Sequence, residues 1–189
     1  MTTDPSDDAL MRRAGNGDRT AFADLVARHL PRAGAIAGRM VASRADADDV
    51  VQEAFLRCWQ KAPAWRPVGS AAATAQFTTW LHRIVVNLCI DRKRRASPVP
   101  LDHAPEVAAD EPDALEALAR AETSRHVAAA VVQLPARQRA ALVLCYYEGM
   151  TNIEAAAVLD LSVGAIESLL VRARRTLRKA LRPGEEGSI

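Results

Sequence analysis

Aromatic residues are scarce: three Phe, three Trp and two Tyr make up 4% of the 189 residues. Glycine and proline number only 9 and 10, which excludes collagen-like and low-complexity disordered chains. Cysteine occurs three times, at Cys58, Cys89 and Cys145; the odd count and the lack of any C-x-x-C argue against a disulfide framework or a zinc knuckle. His29, His82, His103 and His126 are equally scattered, and no H-E-x-x-H or Cys/His ligand spacing joins them. No metal, no cofactor and no catalytic residue set is therefore expected. Long hydrophobic runs are missing too: uncharged apolar stretches such as that around 127–132 fall far short of the roughly 20 residues a membrane span needs. The first residues, MTTDPSDDAL, place acids where a secretory signal needs positive charge and an apolar core. These absences predict a soluble cytoplasmic chain with no direct membrane insertion.

What is present is apolar (49%) and charged (25%) sequence, a mixture suited to amphipathic helices around compact cores. The net charge of +2 hides a partition. Residues 1–95 carry 15 Lys/Arg against 10 Asp/Glu, residues 96–121 one Arg against six acids, and residues 122–189 nine Lys/Arg against seven acids. Two basic modules are thus joined by an acidic segment. Residues 96–112, with four prolines and excess acid, read as a flexible linker rather than a packed element. Fully extended, it spans roughly 55–60 Å at about 3.3–3.6 Å per residue. The predicted organisation is all-α, with domains at 1–95 and 113–189 on either side of this linker.

In the first module, Leu10, Ala14, Phe22, Leu25, Val26 and Leu30 recur at helical steps with an interruption near Gly15–Gly17, and Asp18 is placed to cap the helix that follows. Across 43–59, Val50, Val51, Phe55, Leu56 and Trp59 form an apolar stripe. Asp46, Asp48, Asp49, Gln52 and Glu53 gather near that helix's start. They read either as a solvated acidic face favoured by the helix dipole or as a docking surface for a protein partner. A loop rich in Ala, Pro and Gly is expected over 63–75. A helix then carries Phe77, Trp80, Leu81, Ile84, Val85 and Leu88 on its apolar side. His82, Arg83, Asn87 and the basic run Arg92–Arg95 lie on its other faces. Aromatic rings beside a basic helix suit single-stranded DNA, although most of these rings are expected in the core.

The second module begins with an amphipathic pattern over 113–134, followed by a helix over 137–148 that Gly149 is placed to stop. Thr151-x-x-Glu154 predicts a capping box, and Ser162 predicts the cap of a last helix running to about Leu181. Two helices joined by a tight turn form the helix-turn-helix pattern. On a helical wheel, Ile166, Leu169, Leu170, Ala173, Leu177 and Leu181 share one arc, while six basic residues cover the rest of 171–182. Glu167, Ser168, Val171 and Arg172, with Arg175 one turn on from Val171, are the positions from which such a helix reaches the major groove. Arg172 suits guanine or phosphate, and Glu167 suits the amino group of cytosine.

In order along the chain, GDRTAFADL, DADDVVQEAFLRCW, TWLHRIVVNLCIDRKRR, LPARQRAALVLCYYEGMTNIEAAAVLDLS and VGAIESLLVRARRTLRKAL resemble a bacterial RNA polymerase sigma factor of the extracytoplasmic-function (ECF) group. The resemblance covers roughly residues 7–181. It implies a region 2 helical bundle and a region 4 helix-turn-helix domain. It also implies contact with core RNA polymerase through Asp49, Gln52 and Glu53, and −10 promoter recognition and melting by the helix carrying Arg83, Asn87, Arg92 and Arg94. The −35 element would be read by Glu167, Ser168, Val171, Arg172 and Arg175. Members of this group often have a Thr, a basic residue and an Arg where this chain has Ala165, Glu167 and Leu169, so their base-reading code is not transferable. The resemblance further implies restraint by an anti-sigma factor. Two other readings stay open from the residues alone. A helix-turn-helix regulator acting without polymerase leaves the acidic helix unemployed, and a sigma-like decoy that binds a regulator would drive no transcription.

Overall fold

A computed structural model describes residues 5–65, 73–95 and 126–181, with side chains over 77–92 in the second span. The expected linker (96–112), the loop over 66–72 and the start of the helix expected from 113 lie outside the described residues. All regular structure among those described is helical: α1 (Asp7–Gly15), α2 (Arg19–Met40), α3 (Arg44–Lys61), a 3-10 turn (Ala62–Ala64) and α4 (Ala73–Arg95) in the first module. The second holds α5 (126–133 as far as described), α6 (Ala136–Leu142), α7 (Asn152–Leu159) and α8 (Val163–Ala180).

Local chemistry starts these helices where the sequence places them. Ser6, Asp18 and Ser43 each accept a hydrogen bond from the backbone N–H three residues on, at 3.3, 3.0 and 3.0 Å. Asp18 also receives the Arg13 Nε–H at 2.9 Å. The Ala21 N–H first, and Arg13 second, hold its carboxyl below the usual range. Gly17 turns the chain between α1 and α2 with φ +89. Gly15 has a different reason to be glycine: a Cβ there would lie 2.5 Å from the Ala62 carbonyl oxygen. Backbone cannot yield as a flexible side chain can, so Gly15→Ala is expected to destabilise the first domain by about 1–3 kcal/mol in urea denaturation. An unchanged midpoint would show that α1 slides freely over the 3-10 turn.

Helices α1–α4 pack as a bundle around Leu10, Leu25, Ile36, Val50, Phe55, Phe77, Leu81 and Val85. Two residues of the expected apolar stripes leave this core. Leu30 and Leu56 are exposed, at 45% and 48%, because the stripe on each helix is narrower than the run of apolar letters. Helix α4 begins at Ala73, within the stretch expected to be loop, since alanine there favours helix over coil. The helix expected over 137–148 also changes character: α6 ends at Leu142 and Val143–Tyr147 form a π-helical turn. The Glu148 N–H reaches back five residues to the Val143 carbonyl at 3.0 Å, and Gly149 then leaves at φ +66.

The two modules are not separate bodies. Helix α4 packs on α6 and α7, and α2 packs on α6 and the π turn. Core residues Ala140, Leu144, Ala155, Val158 and Ile166 join the same apolar cluster as the first bundle. Arg139, 1% exposed, donates from Nη1 to the Met40 carbonyl at 2.6 Å across this seam. Nothing in the periodicity of the sequence foretells this closure.

Candidate partner and nucleic-acid interfaces

The acidic edge of α3 follows from helix spacing. Asp49, Gln52, Glu53 and Leu56 fall at i, i+3, i+4 and i+7, so they share a face turned away from the buried Val50, Val51, Ala54 and Phe55. Asp48, Asp49 and Gln52 are exposed, and Glu53 is half-buried beside Arg57, whose Nε donates to Glu53 Oε1 at 2.8 Å. Beside this edge runs a groove of about 410 Å³ between α3 and α4, walled by Asp49, Glu53, Leu88, Asp91 and Arg92. Leu56, which the sequence reading assigned to the core, adds an exposed apolar side chain to this edge. A broken hydrophobic period at that position was the available signal.

Arg92, read from the sequence as a DNA contact, is engaged with this acidic edge. Its Nε donates to Asp46 Oδ1 at 2.6 Å and its Nη2 to Asp49 Oδ2 at 2.7 Å. The Asp49 carboxylate, then that of Asp46, raises the guanidinium pKa further above its already high value. Arg83, half-buried, donates from Nη2 to the Ala157 carbonyl in the last turn of α7, satisfying an oxygen that has no partner within its own helix. Asn87 is exposed on α4. The side chain of Arg94 lies outside the described residues. The structure therefore brings Arg92 to the Asp49 edge and Arg83 to the seam, and leaves Asn87 open.

The helix-turn-helix is capped as its sequence predicts. The Thr151 hydroxyl accepts the Glu154 N–H at 3.2 Å, and the Glu154 carboxylate accepts the Thr151 N–H at 2.8 Å. These bonds to Thr151 hold the Glu154 carboxyl below its usual range. Asp160 takes a left-handed conformation, φ 55, at the end of α7, and Ser162 accepts the Ala165 N–H at 3.2 Å to start α8. Ile166, Leu170 and Ala173 are buried, which fixes the roll of α8. Glu167, Ser168, Val171, Arg172 and Arg175 are consequently all exposed, Val171 at 60%. The guanidinium groups of Arg172 and Arg175 have no partner among the described residues. Ser168 Oγ donates to the Gly164 carbonyl at 2.9 Å and keeps its lone pairs.

Arg172→Ala is expected to weaken duplex binding by about 1–3 kcal/mol if the guanidinium reads a guanine edge. A competition titration against scrambled duplex checks this. Equal losses on every sequence would make Arg172 a phosphate contact.

Among the described residues, no group of three or more His, Cys, Asp or Glu side chains is placed to hold a metal ion, and no helix is long and apolar enough to cross a membrane. Burial pushes the Cys58 and Cys89 thiols up to about 12, which keeps them protonated and unreactive.

Comparison with known proteins agrees with this arrangement. The Sigma-70 region 2 family matches residues 25–98, and the Sigma-70 region 4 family matches residues 125–177. The ECF RNA polymerase sigma factor SigM of Mycobacterium tuberculosis is 36% identical over 179 residues, covering 93% of this chain and 85% of that protein. The ECF RNA polymerase sigma factor SigW of Bacillus subtilis is 30% identical over 183 residues, covering 91% and 95%. The structure of CnrH in complex with the cytosolic domain of CnrY superposes with a TM-score of 0.67 at 32% identity, covering 94% of this chain and 97% of that one. An exposed acidic helix edge in the first module, a doubly capped helix-turn-helix in the second and family matches to both place the chain among the ECF sigma factors, promoter-specificity subunits of bacterial RNA polymerase.

Proposed function

We propose that Asp49, Gln52 and Glu53 dock the chain on core RNA polymerase while α4 and α8 contact the −10 and −35 elements. The observation that carries this reading is the roll of α3. Its buried stripe turns two carboxylates, an amide and Leu56 outward on one continuous face, a pattern suited to a basic, partly apolar partner. Asn87, Arg92 and Arg94 on α4 meet promoter DNA near −10, with Arg83 joining them once it leaves α7. On α8, Arg172 and Arg175 supply charge at −35, and Glu167, Ser168 and Val171 face the base edges. The working units are 1–95, the acidic linker 96–112, and 113–189.

The chain supplies binding and orientation rather than reaction chemistry, which belongs to the polymerase, and it works in the cytoplasm. The CnrH structure holds a second protein, the cytosolic domain of CnrY. An analogous anti-sigma partner restrains this chain by covering the same faces. Gel filtration of the full chain with sigma-free core polymerase, followed by transcription from a selected promoter, tests the reading. Co-elution and promoter-dependent transcripts are expected. Tight operator binding with no co-elution would instead mark a helix-turn-helix regulator that acts alone.

A further inference from the structure

We infer that the crevice where α2, α4 and α7 meet is a binding site for a small, neutral nitrogen heterocycle of one or two rings. The crevice is a cavity of about 240 Å³. Arg32 of α2, Thr79 and His82 of α4, Met150 after the π turn, and Glu154 and Val158 of α7 line it. His82 is the observation that points to a ligand. Its side chain lines the cavity and is 1% exposed, yet neither Nδ1 nor Nε2 has a hydrogen-bond partner among the described residues. A buried imidazole left in that state costs free energy, which a molecule bringing its own donor and acceptor recovers. Burial, then the charges of Arg32 and His29, lowers the His82 pKa to about 4. At neutral pH the ring therefore offers one N–H and one lone pair rather than a charge.

Charge, shape and size choose the class of molecule. Arg32 already gives Nε to the Glu148 carboxylate at 3.0 Å and Nη2 to the Glu148 carbonyl at 2.9 Å. An anion entering the crevice meets the Glu154 carboxylate and a cation meets this guanidinium, so the lining favours a neutral molecule. Met150 and Val158 are apolar and suit the faces of a ring, the thioether sulfur especially. His82, the Thr79 hydroxyl and the Glu154 carboxylate suit its polar edge. Both bonds from Thr151 to the Glu154 side chain fall on Oε2, which leaves Oε1 to accept an N–H from the ligand. The volume lies below the about 300–1,000 Å³ of clefts that hold drug-sized ligands, which fits a ring system without sugar or phosphate. Because the walls come from residues 32, 79, 82, 150, 154 and 158, only the folded chain assembles them, and a ligand bound there stabilises the fold by mass action.

The full chain is titrated with free uracil, adenine, hypoxanthine and nicotinamide, and with benzene as an apolar control. Saturation-transfer NMR gives Kd, and thermal unfolding gives Tm. At least one heterocycle is expected to bind saturably with a Kd of about 1 mM or tighter. At ten times its Kd it should raise Tm by about 3–6 °C. His82→Leu is expected to weaken that binding about tenfold or more, and Thr79→Val about threefold, each variant retaining its helicity by circular dichroism. Thr79→Val keeps the shape of the wall and carries the test if His82→Leu unfolds the chain. No saturable binding of any of the four by the wild-type chain would overturn the site and leave a crevice that holds water only. Equal affinity in wild type and both variants would place the ligand elsewhere, and benzene binding as tightly as the heterocycles would remove the polar edge; either result overturns the inference. Displacement of the bound ring by an equimolar single-stranded oligonucleotide would overturn it too, in favour of a base still attached to DNA.

Discussion

A chain carrying Asp49→Ala, Gln52→Ala and Glu53→Ala is expected to stop co-eluting with core RNA polymerase while remaining folded. The folding half follows from geometry. Gln52 projects into solvent, Asp49 pairs with Arg92 at the surface, and among the described residues Glu53 pairs with Arg57, itself half exposed. Exposed pairs of this kind contribute about 0–1 kcal/mol, so the α1–α4 core, which uses the opposite face of α3, should keep its unfolding midpoint within that margin. The binding half follows from charge. Removing two carboxylates leaves Arg57 and Arg92 on that face, with Asp46 the one remaining carboxylate partner of Arg92. A basic partner then meets like charge where it met opposite charge, a reversal that costs several kcal/mol at an interface. Arg92→Ala separates two roles for that residue. If Arg92 serves DNA, the variant binds polymerase as before and promoter more weakly; if it braces the acids, polymerase affinity changes and the affinity of the chain for promoter DNA stays put. Unchanged co-elution of the triple variant would remove α3 from the docking surface.

Stability of the first domain is expected to fall as the pH drops from about 6.5 to about 4, and His82→Leu should flatten that slope. His82 is 1% exposed, and neither ring nitrogen has a hydrogen-bond partner among the described residues. Burial, then the charges of Arg32 and His29, lowers its pKa from 6.5 to about 4. Between these values the unfolded chain binds the proton and the folded chain does not, so unfolding gains as the pH falls. Below about 4 both states are protonated and the loss is complete, about 3 kcal/mol at roughly 1.4 kcal/mol per unit. The lowered carboxyls of Asp18 and Glu154 act in a lower window. Their contribution is present above their unfolded values of 3.8 and 4.5 and is lost as the pH falls through their folded ones. The two processes are therefore separable along the pH axis. Trp59, Trp65 and Trp80 all lie in the first domain, so tryptophan emission during urea titration reports on it selectively. A wild-type midpoint that stays level from pH 6.5 to 4.5 would mean His82 finds a proton-accepting partner in solution.

The caps of α2, α7 and α8 and the stripes of α2, α3 and α8 were legible in the letters because each rests on residues three or four apart. Asp18 with Ala21, Thr151 with Glu154 and Ser162 with Ala165 leave no room for a distant competitor. The roll of α8, and with it the outward set from Glu167 to Arg175, follows from the same local period. The acidic edge of α3 was equally visible, but what lies against it was not. Arg92 reads as one more cation in a basic run until α4 is laid beside α3. Leu56 reads as core because an apolar letter at helical spacing does not say how wide the buried stripe is.

The sequence by itself determined that the chain is helical, where most helices begin, and which faces of α3 and α8 are polar. These are decided by backbone hydrogen bonds, side-chain caps and the 3.6-residue turn, all of them short-range. Only the tertiary structure decided that the two domains close on each other, that Arg139 is enclosed, and that Arg83 and Arg92 are engaged within the chain. Those contacts join residues 74, 99 and 116 positions apart, as in Arg83 with Ala157, Arg139 with Met40 and Arg32 with Glu148. An arginine's letter is the same in solvent and in a seam; its burial depends on which surface arrives opposite it, and periodicity carries no information about that.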